Sequence, residues 1–238
     1  MEENVLCPCR RDIVMIGVKF NLNTSLYHRD PQDTQLGRKI IKHGIDLMNE
    51  VGFEAFNFKK LAKVIQSAEA SMYRYFENKH MFLLCLTSLY WEWVHYLMDI
   101  HTVNISDGKQ KLAMAIETLV LASDENATIE YINEELLHQI VINESAKAYH
   151  TIAVDAENKI GLFQSYQEAV QKLAHIINQA SPDFPYHKSL ASNLFEMANN
   201  QIYFAQHLPQ LTDIKYKTGR GEELQELLQF FAFRIMGI

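Results

Sequence analysis

What most limits the fold of this chain is the spacing of its apolar residues, which recur at every third or fourth position and seldom in alternation. Proline and glycine, which punctuate strands and turns, number only five and nine in 238 residues. Together these predict an all-α protein. The hydrophobic share of 48% is enough for a sizeable core, in one large domain or two smaller ones. Residues 1–33 depart from the pattern: VKFNLNTSLYHRDP has strand character and ends in Asp30-Pro31, a pair that excludes helix. They predict an irregular N-terminal arm, within which Met15 offers an alternative start.

After the arm, a helix is expected over about 34–51, with Ile41, Ile45 and Met48 on one stripe and Gly52 as its stop signal. Asn57 is placed to cap a second, in which Phe58, Leu61, Ala62 and Ile65 share a face. Ser67 is placed to cap a third, running to Tyr75, with Met72 and Phe76 turned inward. Helices this short do not form alone, so residues 34–79 must be a compact tri-helical unit. Beyond a further cap at Asn78 the patterns lengthen, to about 79–101, 107–123, 128–150, 156–180, 186–207 and 220–236, with turn signals such as Gly219-Arg220-Gly221 between them. There is no repeat of solenoid length. The chain therefore divides into an arm at 1–33, a tri-helical unit at 34–79 and a larger helical domain at 80–238.

Charge is uneven along these three parts. The arm has four Lys/Arg against five Asp/Glu, the tri-helical unit eight against five, and the remainder ten against nineteen. The one basic segment of an acidic protein thus coincides with its shortest helices. Three cysteines, Cys7, Cys9 and Cys85, form no disulfide framework and suit a reducing cytoplasm. Cys7-Pro8-Cys9 lacks the second ligand pair that a zinc site needs, so no metal and no cofactor is expected. The most apolar run, residues 81–91, ends at Glu92 and His95, too short to span a membrane. No HExxH, glycine-rich phosphate loop or GxSxG occurs, which argues against an enzyme.

Two short helices joined by about four residues, the second exposing polar and aromatic side chains, describe a helix-turn-helix. Lys59 and Lys60 open the second helix, while Arg74 and Lys79 lie at and beyond the end of the third, so all four can approach phosphates flanking a groove. With Met72 and Phe76 inward, Glu69, Ala70, Tyr73 and Arg74 turn outward. Glu69 can accept from cytosine N4 or simply complement the helix dipole.

The stretch GFEAFNFKKLAKVIQSAEASMYRYFENKHMFL, residues 52–83, resembles the DNA-binding signature of the TetR family of transcriptional regulators. The similarity lies in Gly52-Phe53, Asn57-Phe58, Leu61-Ala62, Met72-Tyr73-Arg74-Tyr75-Phe76 and Lys79. It implies DNA contacts at Lys59, Lys60, Glu69, Ala70, Ser71, Tyr73, Arg74, Tyr75 and Lys79. The turn position that the family usually fills with glycine is Gln66, which carries strain if its φ is positive.

The resemblance also implies a two-fold four-helix interface. The residues support one: Leu224, Leu227, Leu228, Phe231 and Ile235 make a continuous stripe on the last helix, with Phe230 and Phe233 outside it. The helix around 186–207 has Leu190, Leu194, Met197 and Ala198 on one side, and Phe195, Ile202 and Tyr203 on another. Between these ends, Trp91 with His95, Tyr131 with His138, and Phe163 with Tyr166 are spaced to line the pocket of an unidentified small-molecule effector. The resulting expectation is a cytoplasmic, homodimeric, ligand-responsive repressor on a palindromic DNA operator; the alternative is a TetR-like ligand-binding or adaptor protein without operator binding.

Overall fold

The computed structural model describes residues 18–122, 129–216 and 221–238; Cys7, Cys9, Met15, Gly219 and Arg220 lie outside these. All regular structure among the described residues is helical. The arm makes two single 3-10 turns, Thr24–Leu26 and Pro31–Asp33, and sinks Phe20, Leu22 and Leu26 into the core. Gln32 closes the arm on itself: its buried side chain accepts from the Phe20 N–H at 3.0 Å and donates to the Phe20 carbonyl at 2.9 Å.

Helix α1, Gln35–Ala55, is capped by Thr34, whose hydroxyl accepts from the Gly37 N–H. It is interrupted at Gly52, where φ is +73°, the left-handed backbone that the stop signal foretold. The short helices α2, Phe58–Val64, and α3, Glu69–Met72, follow, and Asn57 caps α2 as expected by accepting from Lys60 N–H. Ser67 does not cap α3; Ala68 stands at its start and no side chain bonds there. Ser67 instead donates its backbone N–H to Ala62 O while Gln66 donates to Lys63 O, a Schellman closure of α2 with Gln66 in the left-handed position at φ +53°.

Asn78 caps α4, Lys79–Thr102, the long central helix, by accepting from Met81 N–H. Fifteen of its residues are buried, which explains why its sequence is apolar all round: α5 (Gly108–Leu121), α6 (Glu134–Tyr149) and α8 (Gln164–Ala180) pack about it. The single helix expected over 156–180 is two, α7 at Val154–Lys159 and α8, because Gly161 adopts φ +78° between them. A Cβ at Gly161 would meet the Asn23 side chain at 2.7 Å, and that side chain donates to the carbonyls of Ile160 and Gly161, fastening the arm to the elbow.

Helices α9, His187–His207, and α10, Glu222–Met236, complete the chain, with α10 lying on α5 and α9. Here the stripe expected on the last helix is corrected. Leu224, Leu228 and Ala232 face the core, while Phe230 (58% exposed), Phe231 (40%) and Ile235 (55%) face out. Phe233 turns to α5, under the Lys109 ammonium. On α9 the second apolar set is used internally: Phe195 and Ile202 are buried, Phe195 edge-on to Trp91.

Candidate nucleic-acid interface

Short helices present a precise surface only if something rigid holds them from behind. Phe82, from α4, stacks on Phe56 and meets Phe58 and Phe76 edge-on, so the aromatic residues of three segments converge on one ring. Gly44 of α1 leaves room for it, since a Cβ there would lie 2.3 Å from the Phe82 ring. Met72 and Phe76 are fully buried. The opposite face of α3 is consequently exposed, and it carries Glu69, Ala70, Tyr73 and Arg74, with Ser71 half-buried at its edge. Tyr73 is 49% exposed but anchored, its ring edge-on to Phe58 at 5.2 Å. Lys59 and Lys60 are exposed at the start of α2, and the Lys60 ammonium donates to the Ala55 carbonyl.

Two residues sit differently from the sequence reading. Tyr75 is 2% exposed, because the chain turns after α3 and directs the ring back toward α1, where its hydroxyl bonds with that of Thr34 at 2.7 Å. It braces the surface from behind and does not belong to it. Lys79 is half-buried; its ammonium lies over the Phe53 ring and donates to the carbonyls of Phe53 and Glu54, so it clamps the end of α1 to the start of α4.

The structure also places a residue that the sequence reading did not name. Glu144 of α6 is buried, and one carboxylate oxygen accepts the Phe53 N–H at 2.9 Å, the group released when Gly52 breaks α1. The other oxygen accepts from Lys147 at 2.6 Å, and this contact holds the Lys147 ammonium above its ordinary range. Close by, Asn49 donates to the Leu136 carbonyl. Two polar ties thus join α6 to the last turns of α1. Nothing in the sequence pairs residues 91 positions apart.

Of the six aromatic and histidine positions proposed for a pocket, the structure gathers four. Trp91, Tyr166 and Phe163 meet around Tyr149: Trp91 lies 4.5 Å from the Tyr166 ring and donates to the Tyr149 hydroxyl at 2.6 Å. Tyr166 donates onward to Glu196. His138 stacks on Tyr90, the neighbour of Trp91, and pairs with Asn199. Burial lowers its pKa to about 4, so the ring is neutral at physiological pH. His95 and Tyr131 are elsewhere. His95 points to Asp99 on the polar side of α4, and Tyr131 packs under Arg38 and bonds Gln32. Among the described residues no group of three or more His, Cys, Asp or Glu could hold a metal, and no helix is long and apolar enough to cross a membrane.

A tri-helical unit that buries its aromatic side and exposes a cationic, aromatic-bearing third helix, ahead of a larger helical bundle, defines the architecture of a helix-turn-helix regulator. Residues 40–84 match the family model for bacterial regulatory proteins of the tetR family. The fold agrees beyond that segment. The crystal structure of PfmR, a TetR family transcriptional regulator from Thermus thermophilus, superposes over 83% of this chain and 96% of its own, with a TM-score of 0.53 at 14% identity. AibR in complex with isovaleryl coenzyme A and operator DNA covers 84% of this chain and 98% of its own, with a TM-score of 0.51 at 14% identity. No curated protein matches the chain. Residues 40–84 thus carry a segment similar to the tetR family's DNA-binding region, within a fold that the whole chain shares with these two structures.

Proposed function

We propose that this protein is a cytoplasmic, ligand-responsive repressor that binds a palindromic DNA operator as a homodimer. The observation that carries the reading is the outward face of α2 and α3, where Lys59, Tyr73 and Arg74 are exposed on helices that Phe82 locks from behind. Residues 34–79 read DNA; residues 80–238 hold the dimer interface and the effector site. Lys59, Lys60 and Arg74 take phosphates, and Ala70, Ser71 and Tyr73 approach base edges, with Glu69 accepting from cytosine N4.

The dimer is supported by what α10 leaves uncovered. Phe230, Phe231 and Ile235 project from it, and Phe231 and Ile235 line a groove of about 250 Å³ with Tyr186, Leu190, Asn193 and Met197 of the α9 region. A second copy related by a two-fold axis would seat its own α9 and α10 there. The effector site is the aromatic cluster of Trp91, Tyr149, Phe163, Tyr166 and Phe195 with the adjacent Tyr90–His138 stack, closed in this structure by its own hydrogen bonds. AibR, of similar fold, is known with isovaleryl coenzyme A and operator DNA together, which supports an organic effector here. The ties from α6 to α1 at Glu144 and Asn49 give an effector a mechanical route to the recognition helices. Operator half-sites lie one helical turn apart, about 34–36 Å, so a shift of a few ångströms between the two α3 helices loses several contacts at once.

Glu69 favours one other reading, a TetR-like adaptor without operator binding, since its carboxylate repels phosphate on the exposed face of α3. Selection from a randomised duplex library separates the two. A repressor recovers an inverted repeat; an adaptor recovers no common sequence.

A further inference from the structure

The N-terminal arm does more than cover the core. At His28 its backbone N–H donates to the Tyr75 carbonyl at 2.8 Å, which brings the arm to the residue that follows Arg74 at the end of the recognition helix. The next residue, Arg29, is exposed and has its guanidinium 5.8 Å from the Tyr75 ring centre. The nearby arm carboxylates are otherwise engaged: Asp30 and Asp33 both pair with Lys19, and Asp30 also accepts the Gln32 N–H. Among the described residues Arg29 has no carboxylate partner.

Arg29 is therefore an exposed cation without a carboxylate partner, held by the arm's backbone against Tyr75, the residue that follows Arg74 in the chain. That backbone is tied down at both ends, by Gln32 pairing with Phe20 and by Asn23 on the α7–α8 elbow. Its position costs little ordering on binding, because the arm is already packed through Phe20, Leu22 and Leu26. We propose that Arg29 is a further phosphate contact, extending the DNA-binding surface from the recognition helix onto the N-terminal arm. On this arrangement Lys59 and Lys60 face one strand flanking the groove, and Arg74 with Arg29 faces the other. The inference rests on the DNA-binding reading above.

The test measures affinity of the full chain for a fluorescent mixed-sequence 30-base-pair duplex between 50 and 200 mM salt. Each phosphate contact contributes about 0.9 to the slope of log affinity against log salt. Arg29→Ala, removing one contact per protomer of a dimer, should flatten that slope by roughly 1.8, so the wild type loses roughly tenfold more affinity across the range than the variant does. Arg29→Lys should keep the slope, because a phosphate accepts a point charge. A wild-type slope retained in Arg29→Ala overturns the inference and leaves the regulator reading intact. A loss that Arg29→Lys fails to restore assigns Arg29 to packing of the arm and also overturns it. A flat wild-type slope removes the DNA-binding reading itself, and the inference with it.

Discussion

Replacing Glu144 should show how much of the tri-helical unit's stability comes from one hydrogen bond delivered by α6. In Glu144→Ala the Phe53 N–H, in a residue 8% exposed, loses its acceptor behind the break at Gly52. A buried donor left unpaired costs about 1–3 kcal/mol. Lys147, whose side chain is 39% exposed, loses an ion pair screened by solvent and contributes about 1 kcal/mol or less. The sum is about 1–4 kcal/mol, which for a chain of this size lowers the thermal midpoint by roughly 2–16 °C. Glu144→Gln separates the two parts, since its amide oxygen still accepts the N–H while the ion pair is gone; it should cost about 1 kcal/mol or less. Circular dichroism melts give the midpoints, and amide hydrogen exchange at Phe53 should accelerate in the alanine variant alone. Equal losses in the two variants would refute the reasoning, because they would assign the whole effect to the ion pair.

Gln66 is the only non-glycine residue with positive φ among those described, and Gln66→Gly relieves left-handed strain of about 1–2 kcal/mol while adding chain entropy of about 0.5–1. The variant should be more stable in urea by up to about 1.5 kcal/mol, and a destabilised variant would contradict that balance. His138 has its folded pKa lowered from 6.5 to about 4, so its neutral form is the stable one and its contribution is complete above pH 6.5. As pH falls from about 6.5 to 4 the unfolded chain takes up a proton that the folded chain refuses, and stability falls by on the order of 3 kcal/mol. His138→Gln should remove that part of the pH dependence, as measured by urea midpoints; an unchanged profile would place the histidine's titration elsewhere. Phe231→Glu sets a carboxylate on the exposed side of α10 and should give a folded monomer in sedimentation, whereas Leu228→Glu buries it in the core and should unfold the chain. A Phe231→Glu variant that still sediments as a dimer would move the interface off this face.

The local signals in the sequence transferred well because their physics is local. Asn57 and Asn78 cap their helices through their own side chains, and Gly52 ends the regular part of α1 with the positive φ its identity suggests. Gln66 takes up the left-handed turn because the Schellman bonds at Ala62 and Lys63 fix it there. What could not be read depends on partners distant in the chain. Tyr75 looked exposable by position, yet Thr34 draws its hydroxyl inward. Gly161 splits the helix expected over 156–180 where the arm's Asn23 meets it, a contact between residues 138 positions apart. The stripe on α10 was visible, but Phe231 and Ile235 at its end face outward because it is Leu224, Leu228 and Ala232 that turn into the core on the side where α5 and α9 pack. The exposed face of α3 was legible for the opposite reason, since burying Met72 and Phe76 fixes where Tyr73 and Arg74 must point.

The measurement that bears most directly on the account is the salt dependence of binding to the duplex recovered by library selection, for the wild type, Lys59→Ala and Arg74→Ala. A two-fold regulator that reads DNA through α2 and α3 should bind with a steep negative slope, and each variant, losing one phosphate contact per protomer, should flatten it by about two and weaken binding to unrelated sequences alike. A wild-type slope near zero, or slopes unchanged in both variants, would contradict the assignment of this face to DNA.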